Sequence, residues 1–188
     1  MRAMWIGLTL AGCARPADVP ADDVPVDTDV EDTGVPRTGC DDPALAAALA
    51  SLADWPVVGA CAWVQLGAAP EDRATALLID VQIPTGAKVA GDLFTIDLVD
   101  PTEDGMVTVQ QGSDLLGDLC TDVGPAVRPD IRATWTPARG TVRVRVTEGG
   151  DTFRADVELT DLVVTLGDQT CAVPDHTWPA VLLGWLAG

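Results

Sequence analysis

Residues 140–159 constrain this chain more than any other stretch. Val142, Val144 and Val146 alternate with Arg143, Arg145 and Thr147. Beyond Gly149-Gly150, Phe153, Ala155, Val157 and Leu159 alternate with Arg154, Asp156 and Glu158. A period of two puts every apolar member on one side of an extended chain and every polar member on the other. The glycine pair predicts a two-residue turn that sets Glu148 against Asp151. In that register Val146 faces Phe153, Val144 faces Ala155 and Val142 faces Val157. On the other side Arg143 meets Asp156, while Arg145 meets Arg154. The expected hairpin has one dry and one wet face. Its charges read as a solvated strand surface rather than an anion site, each worth little. The alternation continues from Asp161 to Leu166, so the second strand should be long and should bend or bulge near Leu162-Val163-Val164.

Further strands are expected at 60–66, 74–83, 92–99, 106–110, 131–136 and 170–173, punctuated at short intervals by Gly, Pro and Asp. One helix is legible. Asp42 can cap it, Pro43 suits its first position, and Leu45, Leu49 and Leu52 share a face. It should stop before Trp55-Pro56, since a residue preceding proline avoids helical angles. The fold class is therefore all-β: an antiparallel β-sandwich with one short N-terminal helix. A closed up-and-down β-barrel with an interior cavity is the alternative.

Charge removes several functions. The chain has 188 residues and a formal net charge of −18, and 24 of its 29 acids are Asp. Nucleic-acid binding is excluded, because phosphate contacts need clustered Lys and Arg. The single His and the two serines, Ser51 and Ser113, leave little for a His-based metal site or a Ser-His-Asp hydrolase. Segment 14–39 carries seven acids and two bases, whereas 40–188 keeps 22 acids against eight bases. Most of the acidity thus belongs to the folded domain.

The first residues read as an address. Arg2 supplies one positive charge, an apolar run follows from Trp5 to Leu10, and Leu10-Ala11-Gly12-Cys13 forms a lipobox. This resembles the signal of bacterial lipoproteins. The resemblance implies removal of residues 1–12 and lipidation of Cys13 with several acyl chains, which anchor stably. With Ala14 where an Asp would favour inner-membrane retention, it also implies sorting to the outer membrane. The expected location is the cell envelope, with the membrane as partner through the anchor. Residues 13–39 then form an acidic linker. Pro16, Pro20, Pro25 and Pro36 stiffen it, and Asp18, Asp22, Asp23, Asp27, Asp29, Glu31 and Asp32 extend it by repulsion. At about 3.1 Å per residue it could reach roughly 80 Å. Its acids do not fit a calcium loop: counted from Asp27, position six is Asp32 and position twelve is Thr38, where Gly and Glu are required.

The domain at 40–188 keeps Cys40, Cys61, Cys120 and Cys171. An extracytoplasmic location favours disulfides. Four cysteines allow three pairings. The expected one is Cys40–Cys61, tying the N-terminal segment to the first strand, with Cys120–Cys171 joining a mid-chain loop to the last strands. Zinc is disfavoured by the absence of any C-x₂-C spacing.

Candidate chemistry is thin. Asp97, Asp100, Glu103 and Asp104 offer hard oxygen ligands for calcium, although turn chemistry around Pro101 and Gly105 explains them as well. Asp114, Asp118 and Asp122 would share a face if helical, but Gly117 argues against a helix. His176, Trp178 and Trp185 form a candidate exposed aromatic patch for a glycan or an envelope protein. Trp55, Trp63 and Trp135, flanked by apolar residues, read as core. No nucleophile motif surrounds either serine. No cofactor is expected, and no enzyme. The expected role is a binding or structural module displayed on an acidic stalk. The alternatives are a small-ligand carrier with a barrel cavity and a carboxylate-dependent hydrolase of envelope glycans.

Overall fold

A computed structural model of the chain describes residues 39–61, 64–98, 105–120 and 128–184. The chain separates into two units, Met1–Val35 and Pro36–Gly188, and all described residues belong to the second. Cys13 and the linker up to residue 38 lie outside the described residues. So do Trp63, Asp100, Glu103, Asp104, Asp122 and Trp185.

The described part is an antiparallel β-sandwich with one helix. Helix α1 spans Pro43–Leu49, and nine strands follow. They are β1 (Val57–Cys61), β2 (Val64–Ala68), β3 (Thr75–Val81), β4 (Leu93–Asp97), β5 (Gly105–Ser113), β6 (Asp130–Glu148), β7 (Thr152–Leu166), β8 (Gln169–Ala172) and β9 (His176–Gly184). The hydrogen-bonded order is β1-β2-β3-β5-β6-β7-β8, with β4 added to β6 and β9 added to β7. The first half of β6 pairs with β5 and its second half with β4. The first half of β7 pairs with β9 and its second half with β8. Both long strands therefore run through two layers, whose inner faces share one apolar cluster. Strand β9 of one layer packs beside β1 and β2 of the other. Among the described residues β1 pairs only with β2, so the sheet is open and the closed-barrel alternative is not realised there.

A corner makes this possible. In β6 the buried side chains change from Trp135 to the even-numbered Val142, Val144 and Val146. In β7 they change from Phe153, Ala155, Val157 and Leu159 to Leu162 and Val164. Both strands switch parity at the same height. There Gly140 takes φ +149° and Asp161 takes φ +52°. Register skips from Thr141↔Thr160 to Arg139↔Val163, a bulge that bends the pair. A Cβ on Gly140 would sit 3.0 Å from Leu162 Cα. The Asp161 amide donates to Asp175 Oδ1 at 2.8 Å, which steadies an Asp in a region few L residues occupy. The bend expected at Leu162 to Val164 thus centres on Asp161.

The hairpin expectation needs one correction. Faces are as expected, but the register is shifted by two: Val146 faces Ala155, Val144 faces Val157 and Val142 faces Leu159. Gly149-Gly150 does not form the two-residue turn. Gly150 forms an isolated bridge with Lys88, in which the two residues exchange N–H···O bonds of 2.9 and 3.1 Å. A Cβ on Gly149 would lie 2.3 Å from the Lys88 carbonyl oxygen. The glycines serve this close approach, and the connection lengthens accordingly. The shift also improves the charges. Arg145 now faces Asp156 instead of Arg154, and Arg143 lies 3.6 Å from Glu158.

The helix forms as expected at its start and ends earlier. Asp42 Oδ1 accepts from the amides of Ala44 and Leu45 at 2.8 and 3.0 Å. Leu45 and Leu49 are buried, and a 3₁₀ turn, Leu52–Asp54, carries the chain to Trp55-Pro56. Asp42 Oδ2 also accepts from Gln111 Nε2, whose Oε1 accepts from the indole of core Trp135. The Leu45 amide, with help from Ala44 and Gln111, holds the Asp42 carboxyl below its usual value.

The cysteine pairing is corrected as well. Cys40 bonds Cys171 and Cys61 bonds Cys120. Residues 39–41 lie along β8 rather than beside β1, with Ala172 N donating to Gly39 O and Asp41 N to Thr170 O. This places Cys40 directly across from Cys171. The expected strand at 60–66 is two strands of a hairpin, β1 and β2, in which Cys61 faces Gln65. Strands expected separately at 131–136 and 141–148 are one.

Gly140→Ala should test the corner. The added methyl meets backbone at a φ that L residues rarely adopt, so urea unfolding should report a loss of about 1–3 kcal/mol. An unchanged midpoint would show that the corner tolerates an ordinary residue.

Candidate functional site

A cleft of about 820 Å³ lies beside β4, lined by Gln82 to Thr85 on one side and Leu93 to Asp97 on the other. That volume falls within the range of ligand pockets. Its apolar part is Ile83, which is buried, and Phe94 and Ile96, which pack partly against the core. Its polar part is Gln82, Thr85, Thr95 and Asp97. Leu93 is 50 % exposed, high for an apolar strand residue.

Strand β4 borders the cleft because it is an edge. Among the described residues it pairs only with β6. Asp92 O accepts from Val146 N, and Leu98 N donates to Gly140 O. Even-numbered residues therefore direct their backbone groups to β6, while Leu93, Thr95 and Asp97 direct theirs away. The sequence reading did not single out this cleft. The available signal was β4 itself, whose odd-numbered set mixes Leu93 with Thr95 and Asp97 opposite the apolar Phe94 and Ile96.

A second, smaller depression of about 210 Å³ lies on the outer face of the β4-β6-β7-β9 layer, among Leu93, Arg143, Arg145, Asp156, Glu158 and Thr177. Most charges on this face of the layer have structural work. Arg154 Nε lies 3.4 Å from Glu148. Arg154 also donates to Ala180 O at 3.0 Å, and Asp156 Oδ1 accepts from Ala180 N at 2.9 Å. These two side chains satisfy the backbone of a bulge in β9, where Pro179 and Ala180 together oppose Asp156.

The residues proposed from sequence are dispersed. Asp97 is exposed and accepts from Thr141 Oγ1 at 3.4 Å, while its three proposed calcium partners lie outside the described residues. Among the described residues no group of three or more His, Cys, Asp or Glu could hold a metal ion. Asp114 and Asp118 are exposed in a turn, not on a helix. The expected aromatic patch is corrected: Trp178 is only 3 % exposed and belongs to the core. His176 packs edge-on against it, with ring centroids 4.6 Å apart. Both lie on β9, beyond the last strand expected from the sequence. Trp178 Nε1 is buried without a partner among the described residues. Burial pushes the His176 imidazole below its usual value of 6.5.

No family model, no curated protein and no solved structure matches this chain.

The His176 environment gives a signed pH dependence. The folded imidazole refuses a proton that the unfolded one accepts near 6.5. Its contribution is therefore level above 6.5 and turns destabilising as pH falls toward the lowered folded value. Comparing unfolding midpoints at about pH 7.5 and about pH 5.5, His176→Gln should lose less stability on acidification than the parent chain. Equal losses would contradict this.

Proposed function

We propose that the chain is a lipid-anchored cell-envelope protein in which Cys13 carries the acyl chains and residues 14–39 act as spacer. In this reading the sandwich is a binding or structural module for an envelope protein or glycan. One observation carries the reading: a Leu10-Ala11-Gly12-Cys13 box precedes a domain whose four remaining cysteines all form disulfides. Disulfides persist in oxidising compartments, and a lipobox is an export address, so the two features support one another. A domain with 22 acids against eight bases is repelled by anionic lipid headgroups. Attachment then falls to the acyl chains rather than to surface charge.

The cleft beside β4 is the contact site we assign to the module. It combines an apolar floor at Ile83, Phe94 and Ile96 with polar groups at its rim, and among the described residues the outer edge of β4 has no strand partner.

Fractionation of expressing cells with labelled fatty acid tests the anchor. The parent chain should incorporate label and sediment with outer membranes, whereas Cys13→Ala should stay unlabelled and soluble. Label on neither protein, or sedimentation of both, would contradict the anchor.

A further inference from the structure

Residues 114–120 form a strap over the outer face of the β1-β2-β3 layer. Leu115 and Leu116 are buried there with Ala69 and Ala76, and Val58, Leu78 and Leu119 pack against them. This cluster is separate from the main core. The leucines fit because the sheet beneath lacks side chains: a Cβ on Gly67 would lie 2.4 Å from Leu119 Cδ2 and 2.8 Å from Leu116 Cδ1.

The strap is conformationally costly. Six non-glycine residues among the described ones have positive φ, and three of them are Asp114, Leu116 and Cys120, at 53°, 62° and 60°. Such residues persist only where the surroundings hold them. The backbone ties are long, 3.4 Å from Leu115 N to Arg73 O and 3.3 Å from Leu119 N to Leu116 O. The covalent tie is the disulfide from exposed Cys120 to Cys61 in β1. The other disulfide is differently placed. Cys171 is 0 % exposed, Cys40 packs on the main core, and backbone hydrogen bonds flank the pair on both sides.

We propose that Cys61–Cys120 is a reducible latch whose opening by a dithiol frees residues 114–120 and uncovers the apolar furrow of Val58, Gly67, Ala69, Ala76 and Leu78 while the sandwich stays folded. One thiolate of the dithiol attacks the Cys120 sulfur, and the Cys61 sulfur leaves as thiolate. The second thiol of the reductant then displaces Cys120 and closes a disulfide within the reductant. Two electrons and two protons pass to the protein as two thiols. The latch follows from the geometry of the strap and does not rest on the membrane reading.

The test is reduction of the folded chain with dithiothreitol, followed by alkylation, peptide mapping and amide exchange. Cys61 and Cys120 should be alkylated more than about tenfold faster than Cys40 and Cys171. Amide exchange should then rise in 114–120 and stay unchanged in β6 and β7, with increased binding of a hydrophobic dye. Cys61→Ser/Cys120→Ser should show the same exchange and dye binding without reductant. Equal opening of both disulfides, earlier opening of Cys40–Cys171, unchanged exchange in the strap, or global unfolding of the reduced chain and the double variant would each overturn the latch.

Discussion

The antiparallel ladder between β6 and β7 supports everything else in this domain. Each strand serves both layers, so its inner face must change parity once along its length. Gly140 and Asp161 make that change at one height, with a bulge between them. The result is a corner: β5 and β8 attach on one side of it, β4 and β9 on the other. The two inner faces then meet around Trp135, Val144, Val157 and Leu162 in one apolar cluster. Helix α1 adds Leu45 and Leu49 to that cluster, and Gln111 links its capping Asp42 to the indole of Trp135. Cap, strand and core are thereby held by one polar chain.

What was legible in the sequence was local. The alternation of Val142 to Leu159 identified the correct faces, and Asp42-Pro43 identified the correct helix start. What failed depended on distant partners. The register turned on Lys88, 62 positions before the glycine it bridges, and nothing near Gly149 announces it. The cysteine pairing followed from residues 39–41 lying along β8, a topological fact that spacing does not encode. The parity switch was readable, since Leu159 and Leu162 cannot share a face of one straight strand, yet a continuous alternation hid it. Strand β9 was missed because its residues, Pro179 among them, show no period-two alternation of apolar and polar side chains. Pro179 is tolerated on an edge strand at a bulge, where Arg154 and Asp156 satisfy the neighbouring backbone.

The same geometry reassigns the charges. Three of the domain's eight bases, Arg143, Arg145 and Arg154, gather on one face of an otherwise acidic domain. Arg143 and Arg154 pair with acids across strands, and Arg154 also braces the β9 bulge. A structural duty thus accounts for most of what resembled an anion site. The proposed contact site is instead the cleft beside β4, bordered by Phe94 and Ile96 and by backbone groups that, among the described residues, no second strand pairs. The two disulfides divide their work: one fastens the N-terminal segment to β8, the other holds a strained strap on the opposite layer.

Nuclear Overhauser contacts across β6 and β7 test the corner most directly. The shared-strand architecture predicts cross-strand contacts between Arg143 and Glu158 and between Thr136 and Thr165 in the same molecule, with Leu162 close to Gly140. Contacts between Val146 and Phe153 and between Arg145 and Arg154 would place the strands in the two-residue-turn register. That result would contradict the corner as described.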